Sequence, residues 1–325
     1  MNVREFIDHH YLHYNSRELR AAAIAYEQHI HAGGKMMLTM AGAMSTAQIG
    51  RSVARAIDGG LIHAISCTGA NLEEDAFMLL AGDTYEAIPD WRALRAEDEA
   101  ELYARGMNRV TDYCIPETVI RHLETHLQDV WLEACQHGES LMPSEALLKV
   151  LALPEVQEHF QSPEHSWLLA AARAGIPIYT PGWEDSTCGN IFTARVIDGT
   201  LPNHRAVCSG TEQMAHLIDW YIAQTGSLDA ETPSVGFFQI GGGIAGDFAI
   251  CAVPSIIQDL EREDTPFWGY FCQISDAVTS YGGYSGAVPN EKITWGKLDV
   301  DTPKFMIESD ATIVAPLIFS YLLND

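Results

Sequence analysis

Along the chain, short apolar runs alternate with stretches in which apolar residues return at helical spacing. Lys35 to Met40 is such a run, and it reads as a strand closed by Ala41-Gly42-Ala43. Ile49, Val53 and Ile57 follow at four-residue steps, predicting a helix that Ser45 or Thr46 caps and Gly59-Gly60 ends. Leu61 to Ser66 then reads as a second strand, completing a βαβ unit. Thr68 to Asn71 is a tight loop before an acidic helix start, Glu73-Glu74-Asp75, whose carboxylates suit the positive end of a helix.

The alternation resumes with a helix over Trp167 to Ala174, a stop at Gly175, a strand over Ile176 to Thr180 and a loop over Gly182 to Asn190. Met214, Leu217, Ile218, Tyr221 and Ile222 form one helical stripe. Val235 to Ile240 reads as a buried strand, Phe267 to Ile274 as another and Phe305 to Ile307 as a short last one, before an apolar helix over Ala311 to Leu323. Strands alternating with helices predict an α/β fold, a Rossmann-like parallel sheet with helices on both faces. No linker or internal repeat interrupts it, so residues 1–325 are expected to form a single domain with residues 1–32 as a peripheral helical segment.

Composition narrows the picture. The chain is 47% hydrophobic and 19% charged, as in a folded globular protein. No apolar run approaches the roughly 18 residues of a membrane span, and the charged, His-rich start lacks a signal-peptide core, so a cytoplasmic, non-membrane protein is expected. The seven cysteines make no CxxC pair, which argues against a disulfide framework and against a metal site. His9, His10 and His13 read as a solvated helix face. A formal net charge of −25 repels nucleic acid and favours a cationic partner, although solubility alone accounts for it equally well.

Two constellations carry chemistry. Gly241 to Gly246 is a literal G-x-G-x-x-G between a predicted strand and a helix, where glycines let backbone approach a pyrophosphate. The acid ending the next strand is Asp276, further on than the usual ribose-binding spacing, so a structural turn competes evenly with a nucleotide loop. Small-residue loops at Ala41-Gly42-Ala43, Thr68-Gly69-Ala70 and Ser309-Asp310-Ala311 fall at strand ends, where α/β sheets place ligands. The second is Trp295-Gly296-Lys297, in a chain with only five lysines. A lysine in a partly dry pocket is a nucleophile for carbonyls and imines, whereas a lysine snorkelling over an aromatic is the commoner outcome.

At these residues the chain resembles the deoxyhypusine synthase family. The resemblance runs through Thr68 to Asp75, Gly106-Met107-Asn108-Arg109, Ile176 to Tyr179 with Asp185, Gly241-Gly242-Gly243, Ser285-Gly286-Ala287, Glu291, Trp295-Gly296-Lys297 and Ser309-Asp310-Ala311. It implies a sirtuin-type NAD-binding fold, a homotetramer with active sites at dimer interfaces, and aminoalkyl transfer from a polyamine such as spermidine through an imine on Lys297, with Glu291 and Trp295 beside it. Carried onto matching positions, NAD contacts fall on Gly42, Ala43, Ser45, Thr46, Thr68, Gly69, Ala70, Asp185, Gly242, Asp276, Ala277, Asp310 and Ala311. Substrate contacts fall on Glu73, Glu74, Asn190, Asp247, Gly282, Gly283 and Tyr284.

Several of these depart from the family pattern. A polyamine-binding aspartate is Asn190, the pocket histidine is Asp247, two aspartates of the glycine-rich loop are Tyr281 and Tyr284, and an NAD-side threonine is Asp276. The departures lie on the amine side, so the expected product is a small polyamine such as homospermidine. The alternatives are deoxyhypusine synthase itself, acting on a protein lysine of the hypusine-bearing translation factor, and a catalytically silent NAD-binding sensor or scaffold.

Overall fold

The computed structural model spans the 325 residues and describes all of them except Ser227, Asp229, Ala230, Ser280 and Tyr281. Tyr281, read above as one of the two altered loop aspartates, therefore lies outside the described residues. Nine strands occur in chain order: β1 (Met36–Met40), β2 (Ala64–Cys67), β3 (Glu86–Ala87), β4 (Met107–Val110), β5 (Tyr113–Pro116), β6 (Ile178–Tyr179), β7 (Gly236–Ile240), β8 (Tyr270–Ile274) and β9 (Lys304–Ile307). Six of them form one parallel sheet in the order β6-β2-β1-β7-β8-β9. Counted within that sheet, the order is third, second, first, fourth, fifth, sixth, the doubly wound arrangement whose direction of winding reverses between β1 and β7. The Rossmann-like expectation is correct.

The strands look uniformly apolar because both faces are covered, yet period two survives within them. Met36, Leu38, Met40, Phe238 and Ile240 enter the larger core on one face. Met37, Ala64, Phe237 and Phe271 enter a second core on the other. Two residues further along this second face, the register aligns Ser66, Thr39, Gln239 and Gln273 across four strands, all fully buried. This polar row lies one residue before the carboxyl ends of the strands.

The N-terminal segment is helical, Val3–His10 and Tyr14–His31, but it is not peripheral. Leu19, Ala22, Ala23 and Tyr26 are buried, the Tyr26 hydroxyl donates to the Leu61 carbonyl (2.7 Å), and the Tyr270 hydroxyl of β8 donates to Ala22 (3.0 Å). Tyr14–His31 is thus part of the layer covering the sheet. The strand expected from Leu61 begins only at Ala64; just before it His63 donates its amide to Met36 O (2.8 Å) and its ring accepts the Met36 amide (3.1 Å). Between Gly82 and Ser166 the chain builds the helices Ala96–Ala104, Glu117–His137 and Pro143–Leu151 and the antiparallel sheet β3-β5-β4. All seven cysteines are free thiols, and no helix among the described residues is long and apolar enough to cross a membrane.

Candidate functional site

Every loop expected to touch the cofactor leaves the carboxyl edge of the parallel sheet. Gly42 to Thr46 follow β1, Thr68 to Ala70 follow β2, Asp185 follows β6, Gly242 follows β7, Asp276 and Ala277 follow β8, and Asp310 and Ala311 follow β9. The reversal between β1 and β7 opens a crevice there, the place where open α/β sheets hold ligands. The glycine loop has its own backbone logic. Gly241 and Gly243 take φ of +73° and +53°, values costly for a residue with a Cβ, and helix Gly243–Ile250 starts at once. Space at Gly42 and Gly243 is open: an added Cβ would meet nothing nearer than 3.6 Å at Gly42 and nothing within 4 Å at Gly243. A helix start flanked by small residues at a switch point fits the pyrophosphate of a dinucleotide.

Several hydroxyls at this edge position neighbouring loops. Ser45 was expected to cap a helix, but its hydroxyl donates to Asn71 O (2.7 Å) and accepts from the Trp167 indole (3.0 Å). Thr46 spends its hydroxyl on Glu74, so helix Gly50–Asp58 begins at Ile49 without a side-chain cap. Asn71 staples the first two loops together, its amide donating to Met40 O, Ala41 O and Gly42 O at 2.9–3.2 Å. Asp310 caps helix Ala311–Leu323, accepting from the amide and hydroxyl of Thr312 (2.7 and 2.8 Å).

The acidic trio is not a cap for its own helix. Thr68 caps Gly69–Ala81, and Glu73, Glu74 and Asp75 lie buried in its second turn. Glu73 instead caps the helix Thr187–Ile197, accepting from the amides of Thr187 (2.9 Å) and Cys188 (2.7 Å). That helix begins inside the stretch expected to be a loop up to Asn190, because Ser186 supplies a second cap. Burial pushes the Glu74 carboxyl up to about 7, with the Glu73 charge adding to it, and burial pushes Asp75 up to about 6. The Asn190 amide is turned onto the carbonyls of Glu184 and Ser186 (2.8 and 2.7 Å), an intrahelical and loop role.

The lysine lies in a separate cleft of about 510 Å³. It gathers the proposed catalytic residues Glu291, Trp295 and Lys297 with Asp247, Gly282, Gly283 and Tyr284; Glu73, Glu74 and Asn190 do not line it. Lys297 is held there by backbone geometry. A 3-10 turn over Pro289–Ile293 ends in Gly296, whose φ of +66° reverses the chain, and Leu298 then bridges to Trp268 ahead of β8. Lys297 is only 7% exposed, and its ammonium donates to Asp247 Oδ1 at 3.0 Å. Asp247 belongs to the helix that starts at the glycine loop, so one element joins the crevice to the lysine.

The dry wall expected from Trp295 is built mainly by another residue. Trp295 is 63% exposed with its ring centroid 6.0 Å from Lys297 Nζ, whereas Tyr284 lies at 5.3 Å and is largely buried. Tyr284 is fixed from below by the polar row: its hydroxyl donates to Gln239 Oε1 (2.8 Å), and Gln273 Nε2 donates to Ser285 O (2.5 Å). Ser285 accepts the Gly243 amide (3.0 Å). Gln239, Gln273, Ser285 and Asn71 were not expected as site residues; for the two glutamines the available signal was a polar residue inside an otherwise apolar strand. Gly242 packs directly under Ser285, where an added methyl would collide with its Cα and side chain. Gly242→Ala is therefore expected to cost about 1–3 kcal/mol by overpacking and to loosen Tyr284. Urea unfolding checks this, and a change below about 0.5 kcal/mol would show that the contact is easily relieved.

Comparison with known proteins bears on the family and the fold. The model of the deoxyhypusine synthase family matches residues 8–322. A deoxyhypusine synthase-like protein of a Cyanothece species is 30% identical over the whole of this chain and 80% of its own length. A probable deoxyhypusine synthase of Aeropyrum pernix is 25% identical over 94% of this chain and 89% of its own. Among solved structures, a putative deoxyhypusine synthase from Entamoeba histolytica superposes with a TM-score of 0.58 at 12% identity, covering 100% of this chain and 94% of the other, a likeness of fold.

Proposed function

Because the chain belongs to the deoxyhypusine synthase family, we propose that it is an NAD-dependent aminoalkyl transferase that moves a 4-aminobutyl-type group between amines through an imine on Lys297. The observation that carries this reading is the pair formed by buried Lys297 and half-exposed Asp247 beside Tyr284, with Asp247 on the helix that leaves the glycine loop. NAD, held by Gly42 to Thr46, Thr68 to Ala70, Asp185, Gly242, Asp276-Ala277 and Asp310-Ala311, would supply reversible hydride exchange with the amine carbon. Lys297 gives its proton to Asp247 and adds through Nζ to the imine carbon of the oxidised donor. The bond from that carbon to the departing nitrogen breaks, the nitrogen leaves as a protonated diamine, and the group stays on Lys297. An acceptor amine repeats the exchange and frees the lysine. Asp247 takes the proton-carrying place of the family histidine.

The cleft suits a cation. Asp247, Asp259 and Glu291 line it, and the Tyr284 and Trp295 rings add cation–π surfaces worth about 0.5–2 kcal/mol each. Asparagine at 190 forgoes a charge-assisted hydrogen bond of about 1.5–3 kcal/mol, which supports a substrate set different from that of hypusine formation and a product such as homospermidine. Exposed Ile244 and Val278, together with Trp295 of the cleft wall, suit the proposed homotetramer, in which a second copy closes the site.

The test is a half-reaction. Protein, NAD and spermidine, putrescine or agmatine are mixed, treated with borohydride and mapped by peptide mass. An aminoalkyl adduct on Lys297 that requires NAD is expected, followed by release of homospermidine when putrescine is added. Transfer only to a protein lysine would favour deoxyhypusine synthase. NAD binding without an adduct from any amine would overturn the transferase reading in favour of a sensor.

A further inference from the structure

The cleft contains a second lysine that neither its sequence context nor the family pattern singled out. Lys292 is 2% exposed, yet among the described residues no carboxylate lies within hydrogen-bonding distance of it. Its Nζ donates to Ala287 O (3.1 Å) and lies 4.8 Å from the Tyr284 ring centroid and 4.9 Å from that of Phe271. Lys297 Nζ lies 5.3 Å from the same Tyr284 ring. Two buried amines therefore share one aromatic, and among the described residues only Lys297 has an ionic partner.

We propose that Lys292 is a positioning residue whose buried positive charge opposes protonation of Lys297, keeping that amine available as a nucleophile against the pull of Asp247. The inference rests on the reading of Lys297 as the imine-forming residue. Like charges in a low-dielectric site disfavour each other, and a neighbouring cation is an established way to activate a lysine. The groups facing the pair are Asp247 and Cys251 from the helix after the glycine loop, Asp259 and Glu291 at the cleft wall, and the Tyr284 phenol. Asp247 favours the charged form of both lysines, and Lys292 is the one cation among these neighbours that acts against it at Lys297. Burial and the charge of Lys297 push Lys292 itself down to about 8, so it is still mainly cationic at pH 7.

The test uses neither NAD nor turnover. Propanal with cyanoborohydride alkylates free amines, and peptide mass spectrometry follows the rate at Lys297 as a function of pH. In Lys292→Met the rate at pH 7 should fall about tenfold because the opposing charge is gone, and the gap from wild type should close well above pH 8, where Lys292 has itself lost its charge. Lys292→Arg, which keeps a charge but cannot serve as a base, should retain the wild-type rate at pH 7. Lys292→Gln gives a second neutral variant should methionine impair folding, which thermal melting reports. An unchanged Lys297 profile in a folded neutral variant would overturn the proposal, as would loss of labelling in Lys292→Arg as complete as in Lys292→Met. Failure of the transferase reading has a different signature: no NAD-dependent adduct in the wild type, whatever the aldehyde profile shows.

Discussion

Lys297→Ala is expected to yield no trapped adduct and to lower turnover by on the order of 10⁴-fold or more, the scale seen when a covalent nucleophile is removed. No other lysine of the cleft is placed to substitute. Lys292 lies against Tyr284 and Phe271 with its ammonium on the Ala287 carbonyl, and the hydrogen bond to the Asp247 carboxylate belongs to Lys297. Lys297→Arg separates chemistry from electrostatics: it can keep the pairing with Asp247 but cannot form an imine. Both variants should therefore lose turnover, while Lys297→Arg keeps the wild-type melting temperature and NAD affinity. Borohydride trapping, steady-state assay and cofactor titration check the three parts. Residual turnover within about a hundredfold of wild type in Lys297→Ala would mean that the route does not pass through this residue.

Much of this site was legible in the sequence because backbone requirements leave marks. The strand ends were readable as glycines and other small residues, and Gly296 beside Lys297 is demanded by its positive φ. The sheet order was not readable from periodicity, which reports burial but not neighbours; it follows from the register that places β7 beside β1 across nearly two hundred residues of chain. The polar row was hidden for a related reason. Strands buried on both faces read as one apolar run, and Thr39, Gln239 and Gln273 look like noise until the register aligns them. Glu73 to Asp75 were misread because carboxylates near a helix start usually serve that helix, whereas Glu73 caps a helix more than a hundred residues away. Lys292 passed unnoticed since nothing local distinguishes it from an exposed lysine; Phe271, which covers it, comes from β8.

Glu74→Gln should make the protein more stable above neutral pH, by about 2–3 kcal/mol. The glutamate has an ordinary carboxyl value in the unfolded chain, 4.5, and about 7 in the fold, where burial disfavours its charge. Below pH 4.5 both states hold the proton and Glu74 costs nothing. As pH rises towards 7 the unfolded chain ionises first, so it binds fewer protons than the fold and wild-type stability declines. Above that the penalty is fully developed. Glutamine never ionises and can still accept the Thr46 hydroxyl bond, so the gap between variant and wild type should be small at pH 4.5 and open by pH 8. Urea unfolding at the two pH values measures it, and a gap independent of pH would show that Glu74 ionises as freely in the fold as outside it. A buried acid kept at such a cost points to use. If Glu74 receives an ammonium group of the substrate, as the family resemblance implies although it lies outside the lysine cleft, spermidine will favour the ionised side chain and recover part of the penalty. Saturating spermidine should then raise the melting temperature of wild type more than that of Glu74→Gln at pH 8, and equal shifts would separate Glu74 from substrate binding.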